Sequence, residues 1–274
     1  MEYDRKEYEN TSNLIKEHNL KTVCTSANCP NRYECFSNKV ATFMILGDKC
    51  TRDCRYCNIE ADKPDEIDED EPKRILDAVQ KLELDYVVIT SVNRDDLEDG
   101  GASQFVKVIR ILKTHTDCKV EVLIPDFDGP ELVEIIKAQP DVINHNIETV
   151  ERIFSKVRPK GSYQKSLELL KRIRGIDAQR TIKIKSGLMV GLGETMDEIA
   201  ETMVALKKNE VQIITIGQYL SPSPNHIQVQ KEYSESEFEE MRNAAKVLQF
   251  GSSAIGKMVR SSYHAREVAI IKTD

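Results

Sequence analysis

The alternation of strand and helix patterns and the number of units predict an α/β fold. The expected architecture is a partial (β/α)6 barrel of the TIM type, with N-terminal and C-terminal extensions covering the site. Short apolar runs alternate six times with helical patterns between residues 41 and 250, which is typical of a parallel sheet with right-handed crossovers. No internal repeat is visible, and six units fall short of the eight that close a full barrel. In such folds the functional site lies at the carboxyl ends of the strands.

Each predicted element rests on its own local pattern. The first strand reads ATFMILG, an apolar run that ends at glycine. Pro72 stands near the start of a helix, and Gly175 ends another. Phe105, Ile109 and Leu112 mark the apolar face of a third helix. The predicted strands cover 41–47, 86–90, 119–124, 142–147, 181–190 and 213–220. The predicted helices cover 72–84, 102–114, 131–138, 162–175, 196–208 and 234–250.

The chain is predicted to divide into three parts. Residues 1–40 form an N-terminal extension that carries the first group of cysteines, and residues 41–250 form the barrel. Residues 251–274 form a C-terminal segment that contains the sequence Arg-Ser-Ser-Tyr. Within the barrel, the acidic stretch 62–71 (DKPDEIDEDE) is predicted to be a solvated linker, because a run of like charges usually faces water.

Composition excludes several classes of partner. The net charge of −7 argues against nucleic acid, since neutralising phosphates needs a basic surface. No apolar run approaches the roughly 18 residues that span a bilayer, so no membrane partner is expected. Residues 1–20 carry both signs of charge and no apolar core of a signal peptide. We therefore expect a cytoplasmic protein.

Six of the seven cysteines crowd into residues 24–57, in two triplets. The second triplet, Cys50, Cys54 and Cys57, has the spacing C-x3-C-x2-C and directly follows the first predicted strand. Three thiolates at this spacing can hold three irons of a four-iron cluster and leave the fourth iron open for chemistry. A zinc site is the alternative, but zinc usually takes four Cys or His ligands in paired spacing. Disulfides are disfavoured by the odd number of cysteines and by the length of the chain.

A C-x3-C-x2-C motif after the first strand of a partial barrel resembles the radical S-adenosylmethionine (SAM) superfamily. The resemblance implies that the open iron chelates the amino and carboxylate groups of SAM. An electron from the cluster would then cleave the sulfonium C–S bond and release a 5′-deoxyadenosyl radical, which takes a hydrogen atom from an unactivated carbon.

The first triplet narrows this resemblance to one family. Cys24, Cys29 and Cys35 have the spacing C-x4-C-x5-C, and this arrangement ahead of the second triplet is similar to the lipoyl synthase family. The similarity runs from about residue 24 to residue 265. Further stretches that carry it are SVNRDDLEDGGA, NHNIETV, VRP, KSGLMVGLGET, TIGQYLSPS and VRSSYHA.

The family resemblance implies a reaction and its partners. Two SAM molecules would support insertion of sulfur at C6 and C8 of an octanoyl group held on a lysine, and an auxiliary 4Fe-4S cluster would donate the sulfur. The implied cofactors are therefore two 4Fe-4S clusters and SAM. The implied partners are an octanoylated carrier (the H protein or an E2 lipoyl domain), an electron donor such as ferredoxin or flavodoxin, and an iron–sulfur carrier for cluster repair. Free octanoate is the disfavoured alternative substrate.

The resemblance also assigns ligands and contacts. Ser262, with Ser261 as the fallback, would complete the auxiliary cluster and take part in its catalytic role. An alkoxide is a harder ligand than a thiolate, so it would hold one iron less firmly. The expected contacts to SAM or substrate are Gly100, Gly101, Asn146, Glu148, Arg158, Lys185 and Gly191, with Gly187 and Gly193 nearby in the same glycine-rich strand end.

Some positions depart from the family pattern. The chain has no tryptophan and no Lys-Pro-x-Trp segment before the first triplet, and Thr25, Ser26 and Phe36 stand where the family usually has other residues. All the expected cluster ligands remain. The departures therefore concern how the N-terminus closes the site and which carrier protein docks. The rival interpretations are another radical SAM enzyme with an auxiliary cluster, such as a methylthiotransferase or a biotin-synthase-like enzyme, and a non-enzymatic iron–sulfur scaffold.

Overall fold

The computed structural model of the chain describes residues 3–270, and its mostly parallel strands with flanking helices confirm the predicted α/β class. The chain forms two units with their own internal contacts. The first unit contains residues up to 52 together with 58–141, and the second contains residues 53–57 together with the chain from 142 onward. No helix within residues 3–270 is long and apolar enough to cross a membrane.

The first unit carries three N-terminal helices followed by strands and helices in alternation. Its elements in chain order are α1 (Arg5–Glu17), β1 (Lys21–Thr22), α2 (Val23–Ser26), α3 (Arg32–Ser37), β2 (Thr42–Ile45), β3 (Lys49–Cys50), β4 (Glu60–Ala61), α4 (Glu71–Lys81), β5 (Tyr86–Ser91), α5 (Ala102–His115), β6 (Lys119–Leu123) and α6 (Pro130–Lys137). Strand β2 pairs in parallel with β5, β5 pairs in parallel with β6, and β1 adds an antiparallel edge to β2.

The second unit continues the alternation with four parallel strands. Its elements in chain order are β7 (Val142–Asn144), α7 (Glu151–Val157), α8 (Tyr163–Ile176), β8 (Lys183–Val190), α9 (Met196–Lys208), β9 (Ile213–Gln218), α10 (Glu235–Val247), β10 (Ser252–Gly256) and α11 (Ala265–Val268). The four strands pair in chain order, each in parallel with the next.

Local sequence explains where these elements begin and what they bury. Thr195 and Ser234 each cap a helix through a reciprocal capping box with a glutamate three residues later. Strand β9 is buried along its whole length. On α5, the predicted apolar face is confirmed, since Phe105, Ile109 and Leu112 are completely buried.

The structure differs from the sequence prediction in several places. The N-terminal extension is largely helical, with α1 packed on α3. A seventh parallel strand, β10, lies within the predicted C-terminal segment, and α7 was not predicted. The acidic stretch is mostly exposed, but its last residue, Glu71, is buried and accepts a hydrogen bond from the Leu46 N–H at 3.1 Å. For Glu71 the solvated-linker prediction was therefore wrong, because this side chain completes the turn after β2.

Candidate functional site

The first cysteine triplet lies on α2, α3 and the turn between them. The N–H of Cys29 donates to the carbonyl oxygen of Cys24 at 3.1 Å, and the carbonyl of Cys29 accepts from the N–H of Arg32 at 3.2 Å. Cys35 follows within the same short helix, and its N–H donates to the Asn31 carbonyl at 2.9 Å. Backbone hydrogen bonds thus hold the three cysteines in one compact segment.

Burial and mutual repulsion govern the thiols of this triplet. Burial, together with a smaller effect of the neighbouring cysteines, raises the pKa of Cys24 to about 11 and that of Cys35 to about 12. Neighbouring thiolates repel one another when no metal is present. A cationic iron centre removes this repulsion, because it stabilises the thiolates and displaces their protons on binding. Within residues 3–270 no group of three or more His, Cys, Asp or Glu side chains forms a ready-made metal cage.

Cys50, the first cysteine of the second triplet, is buried at the end of β3. Its sulfur accepts hydrogen bonds from two backbone N–H groups, that of Arg52 at 3.4 Å and that of Asn93 at 3.3 Å. The N–H of Thr51 donates to the Asn93 carbonyl at 3.1 Å. A metal-bound thiolate accepts hydrogen bonds from backbone N–H groups, so the surroundings of Cys50 fit that role.

Arg52 fixes the loop between Cys50 and Cys54 through two carboxylates. Its guanidinium forms a two-pronged pair with Asp95, and it also forms an ion pair with Asp126. The hydroxyl of Thr51 donates to the Asp95 carboxylate at 2.7 Å. A guanidinium and a carboxylate that pair through two parallel hydrogen bonds fix each other's orientation as well as balancing their charges. The loop therefore does not depend on bound metal for its position.

Cys54 and Cys57 lie in a backbone segment held on both sides by the second unit. The N–H of Arg55 donates to the Val157 carbonyl and its carbonyl accepts from the N–H of Ile227, each at 3.1 Å. Nε2 of His226 lies 3.0 Å from the Cys57 carbonyl oxygen, and its Nδ1 lies 2.8 Å from the Ser223 hydroxyl. Since a carbonyl only accepts, Nε2 carries the proton. His226 was not among the predicted site residues, because no pattern in the sequence around it indicates a contact with Cys57.

Tyr56, between these cysteines, stands among charged groups of the same unit. Burial raises the pKa of Tyr56 well above its ordinary value, Glu148 and Cys54 raise it further, and Arg158 lowers it. Glu148 itself has φ +68°, which is uncommon for a residue with a side chain. Its N–H and carbonyl bond to Gly187 and Met189 at 3.1 and 2.8 Å, and these bonds hold it in that conformation. Backbone held in this way is typical of functional sites.

Polar side chains line one face of β7 and β8. His145 reaches the Ser166 hydroxyl on α8 at 3.1 Å, so its neighbours Asn144 and Asn146 face the opposite side of the strand. Asn144 is completely buried, and neither atom of its amide has a partner within residues 3–270; the same holds for the amide oxygen of Asn146. Lys185 is the register partner of Asn144 and is also buried. Buried polar atoms without partners indicate a place for a polar ligand.

The predicted glycine contacts lie at strand and helix ends. Gly101 is the N-cap of α5 with φ +90°, and a Cβ there would lie 2.3 Å from Leu46 Cδ1. Its neighbour Gly100 also has a positive φ, of +59°. The N–H of Gly191 donates to Glu194 at 2.5 Å, and its carbonyl accepts from Gln230 at 2.8 Å. The chain itself therefore accounts for Gly101 and Gly191, and their contact with SAM stays a prediction.

Ser261 and Ser262 lie in the turn between β10 and α11. Both are half-buried. The N–H of Tyr263 donates to the Arg260 carbonyl at 3.0 Å, and the ring of Tyr263 packs edge-on against His264 with centroids 4.2 Å apart. These contacts hold the serines in a closed turn, and the choice between them as ligand stays a prediction.

Comparison with known proteins places these residues in context. Residues 44–206 match the family model of the Radical SAM superfamily. A lipoyl synthase from Caldanaerobacter subterraneus subsp. tengcongensis is 50% identical over 254 residues, which is 92% of this chain and 89% of that protein. A lipoyl synthase from Caldicellulosiruptor saccharolyticus is 49% identical over 261 residues, which is 94% of this chain and 91% of that protein.

Solved structures share the fold at much lower sequence identity. The FeFe-hydrogenase maturase HydG from Carboxydothermus hydrogenoformans superposes with a TM-score of 0.62 and 14% identity, over 97% of this chain and 69% of that one. At this identity the likeness concerns the fold alone.

Proposed function

The chain belongs to the lipoyl synthase family of the radical SAM superfamily, and from this premise we propose that its six clustered cysteines hold two 4Fe-4S clusters. Its activity is the SAM-dependent insertion of two sulfur atoms at C6 and C8 of a protein-bound octanoyl-lysine. The observation that carries the proposal is a second group of three cysteines, Cys24, Cys29 and Cys35, in one short hydrogen-bonded segment outside the radical SAM motif. A single-cluster enzyme needs no such second group of thiols.

Cys50, Cys54 and Cys57 are the proposed ligands of the SAM cluster. All three stand within eight residues of sequence, in the motif of the superfamily. The protein prepares their positions through the two N–H groups at the Cys50 sulfur and the His226 contact to the Cys57 carbonyl. When bound, the SAM cluster would supply the electron that cleaves SAM, and the auxiliary cluster the sulfur. Aliphatic C–H bonds are beyond side-chain acid–base chemistry, so the protein's own task is binding and alignment.

Cys24, Cys29 and Cys35 are the proposed ligands of the auxiliary cluster, with Ser262 as the fourth. The raised pKa values mean that the buried thiols of Cys24 and Cys35 would be protonated at neutral pH without metal, and iron would displace these protons on binding. A serine oxygen would bind its iron less firmly than sulfur does. This weaker site suits a group that must be opened during turnover, and the half-buried turn gives Ser262 access to a ligand.

The polar face of β7 and β8 is the proposed SAM-binding face. Asn144 and Asn146 offer buried amide groups. The buried Lys185 is the register partner of Asn144 on β8, and Glu148 pairs with Leu188 further along that strand. SAM carries amino, carboxylate and ribose hydroxyl groups that can satisfy them. Gly100, Gly101 and Gly191 remain the proposed places where backbone approaches SAM.

The proposed substrate is an octanoylated carrier, either an H protein or an E2 lipoyl domain. Turnover also needs an electron donor such as ferredoxin or flavodoxin, and an iron–sulfur carrier that rebuilds the spent cluster. The proposed compartment is the cytoplasm, which is reducing and keeps clustered thiols available to iron.

Isotope labelling tests the sulfur source directly. The chain is reconstituted anaerobically with heavy-isotope sulfide and incubated with SAM, a reductant and an octanoyl-lysine peptide. We expect a lipoyl peptide in which both sulfur atoms are heavy. Replacement of Cys24, Cys29 and Cys35 by Ala should leave SAM cleavage but abolish sulfur insertion. A thiomethylated peptide, or a lipoyl peptide from the triple variant, would contradict the proposal.

A further inference from the structure

A backbone contact joins β9 to the turn that precedes Ser262. A Cβ on Gly217 would lie 2.0 Å from the Val259 carbonyl oxygen and 3.0 Å from its carbonyl carbon. Such separations under 3.0 Å are essentially never seen for real Cβ atoms. The obstructing atoms belong to the backbone, so a side-chain rotation cannot relieve the clash. Residue 217 must therefore be glycine for the turn to lie where it does.

The turn is closed by its own hydrogen bonds. The N–H of Val259 donates to the Gly256 carbonyl at 3.1 Å, and Nη1 of Arg260 donates to the Val259 carbonyl at 2.6 Å. The N–H of Tyr263 then donates back to the Arg260 carbonyl. A displacement of the Val259 carbonyl therefore carries through Arg260 to Ser262, because consecutive hydrogen bonds link the segment.

We propose that Gly217 is a positioning residue for Ser262: its missing side chain lets the 257–260 turn seat on β9 and fixes the serine that completes the auxiliary cluster. The inference rests on the proposed role of Ser262 as the fourth ligand. Gly217 acts through the backbone and touches no reacting atom. Gly217 belongs to the stretch TIGQYLSPS, and through it this stretch would help to position Ser262 at the auxiliary cluster.

Hydrogen exchange in the metal-free chain tests the geometric part. Gly217→Ala should increase amide exchange in residues 257–263 above that of the wild type. Gly256→Ala is the matched control, because Gly256 is the register partner of Gly217 on β10, and a Cβ there meets only Val259 Cγ2, at 3.8 Å. Unchanged exchange in Gly217→Ala, with far-ultraviolet circular dichroism like that of the wild type, would overturn the inference.

Iron retention tests the link to the cluster. In a background with Cys50, Cys54 and Cys57 replaced by Ala, only the auxiliary site holds iron. We expect Gly217→Ala to lose iron to a chelator roughly 10- to 100-fold faster, as Ser262→Ala does, while Gly256→Ala matches the parent. If Ser262→Ala loses iron fast while Gly217→Ala loses it at the rate of the parent protein, the inference about Gly217 is overturned and the ligand role of Ser262 stands. Parental loss in Ser262→Ala would overturn the ligand role of Ser262 instead.

A second variant covers the case in which Gly217→Ala does not fold. Arg260→Gln removes the guanidinium contact to the Val259 carbonyl and adds nothing at Gly217. In the same two assays it should raise exchange in residues 257–263 and speed iron loss. Parental values in both assays would contradict the proposal.

Discussion

The guanidinium of Arg52 holds both carboxylate oxygens of Asp95, with Nε 2.9 Å from Oδ2 and Nη2 2.7 Å from Oδ1. This pair ties the loop of the second cysteine triplet to the chain that follows β5. The hydroxyl of Thr51 adds a third bond to the same carboxylate. Since the Arg52 side chain is only 13% exposed, solvent screens the pair less than it screens a surface ion pair.

Replacing Arg52 by Lys should loosen the SAM cluster. Lysine keeps the charge but loses the two-pronged geometry. With Cys24, Cys29 and Cys35 replaced by Ala, iron loss to a chelator should be faster by roughly 10-fold. Arg74→Lys is the matched control, because Arg74 forms a similar two-pronged pair with Asp68 away from the cysteines. Equal iron loss in both variants would refute the positioning role of Arg52.

Helix α1 should support the auxiliary site through Thr11. Its buried hydroxyl donates to the Phe36 carbonyl at 2.8 Å, next to Cys35 in α3. Thr11→Val removes this bond at similar volume, so the free energy of unfolding should fall by about 1 kcal/mol. Urea denaturation measures it, with the exposed Thr114→Val as control. If the two variants unfold alike, α1 does not anchor α3 through this bond.

Asn144 should favour ligand binding at the expense of stability. Its buried amide has no partner within the described part of the chain, and such a group costs about 1–3 kcal/mol. Asn144→Leu should therefore raise the free energy of unfolding of the ligand-free chain and weaken SAM binding to the reconstituted protein. Urea denaturation and equilibrium dialysis measure the two effects. An unchanged SAM affinity would show that Asn144 does not face the ligand.

The stability of the metal-free chain should depend on pH through Glu71. Burial raises the pKa of Glu71 above its ordinary value of 4.5, so the folded state favours the protonated form. This contribution to stability is complete below about pH 4.5 and is lost as pH rises through the higher folded pKa. Glu71→Gln stays neutral, so its unfolding free energy relative to wild type should rise across that window. A flat difference, like that expected of the exposed control Glu66→Gln, would contradict this.

The sequence predicted the barrel strands because their apolar runs are long and bounded by turn residues. It did not predict α1, whose sequence RKEYENTSNLIKE is mostly polar and buries only Thr11 and Ile15. The Asp4 cap and packing on α3 stabilise this helix. β10 was missed for a related reason, because SSAIG is half-exposed and is a strand only through its pairing with β9.

The cysteine ligands were predictable because their spacing lies within short segments. His226 was not, since the histidine and the Cys57 carbonyl that it holds are 169 residues apart. Asn144 read as part of an apolar strand, and only the fold shows that its amide is buried without a partner. The role of Gly217 depends on a turn that begins 40 residues later. Contacts of this kind leave no local pattern.

Iron content is the most direct test of the two-cluster account. Anaerobically reconstituted wild type should contain about eight irons per chain, and the chain with Cys24, Cys29 and Cys35 replaced by Ala about four. Cys118→Ala, which removes a buried cysteine outside both triplets, should keep about eight. About four irons in both the wild type and the triple variant would contradict the account and leave a radical SAM enzyme with one cluster.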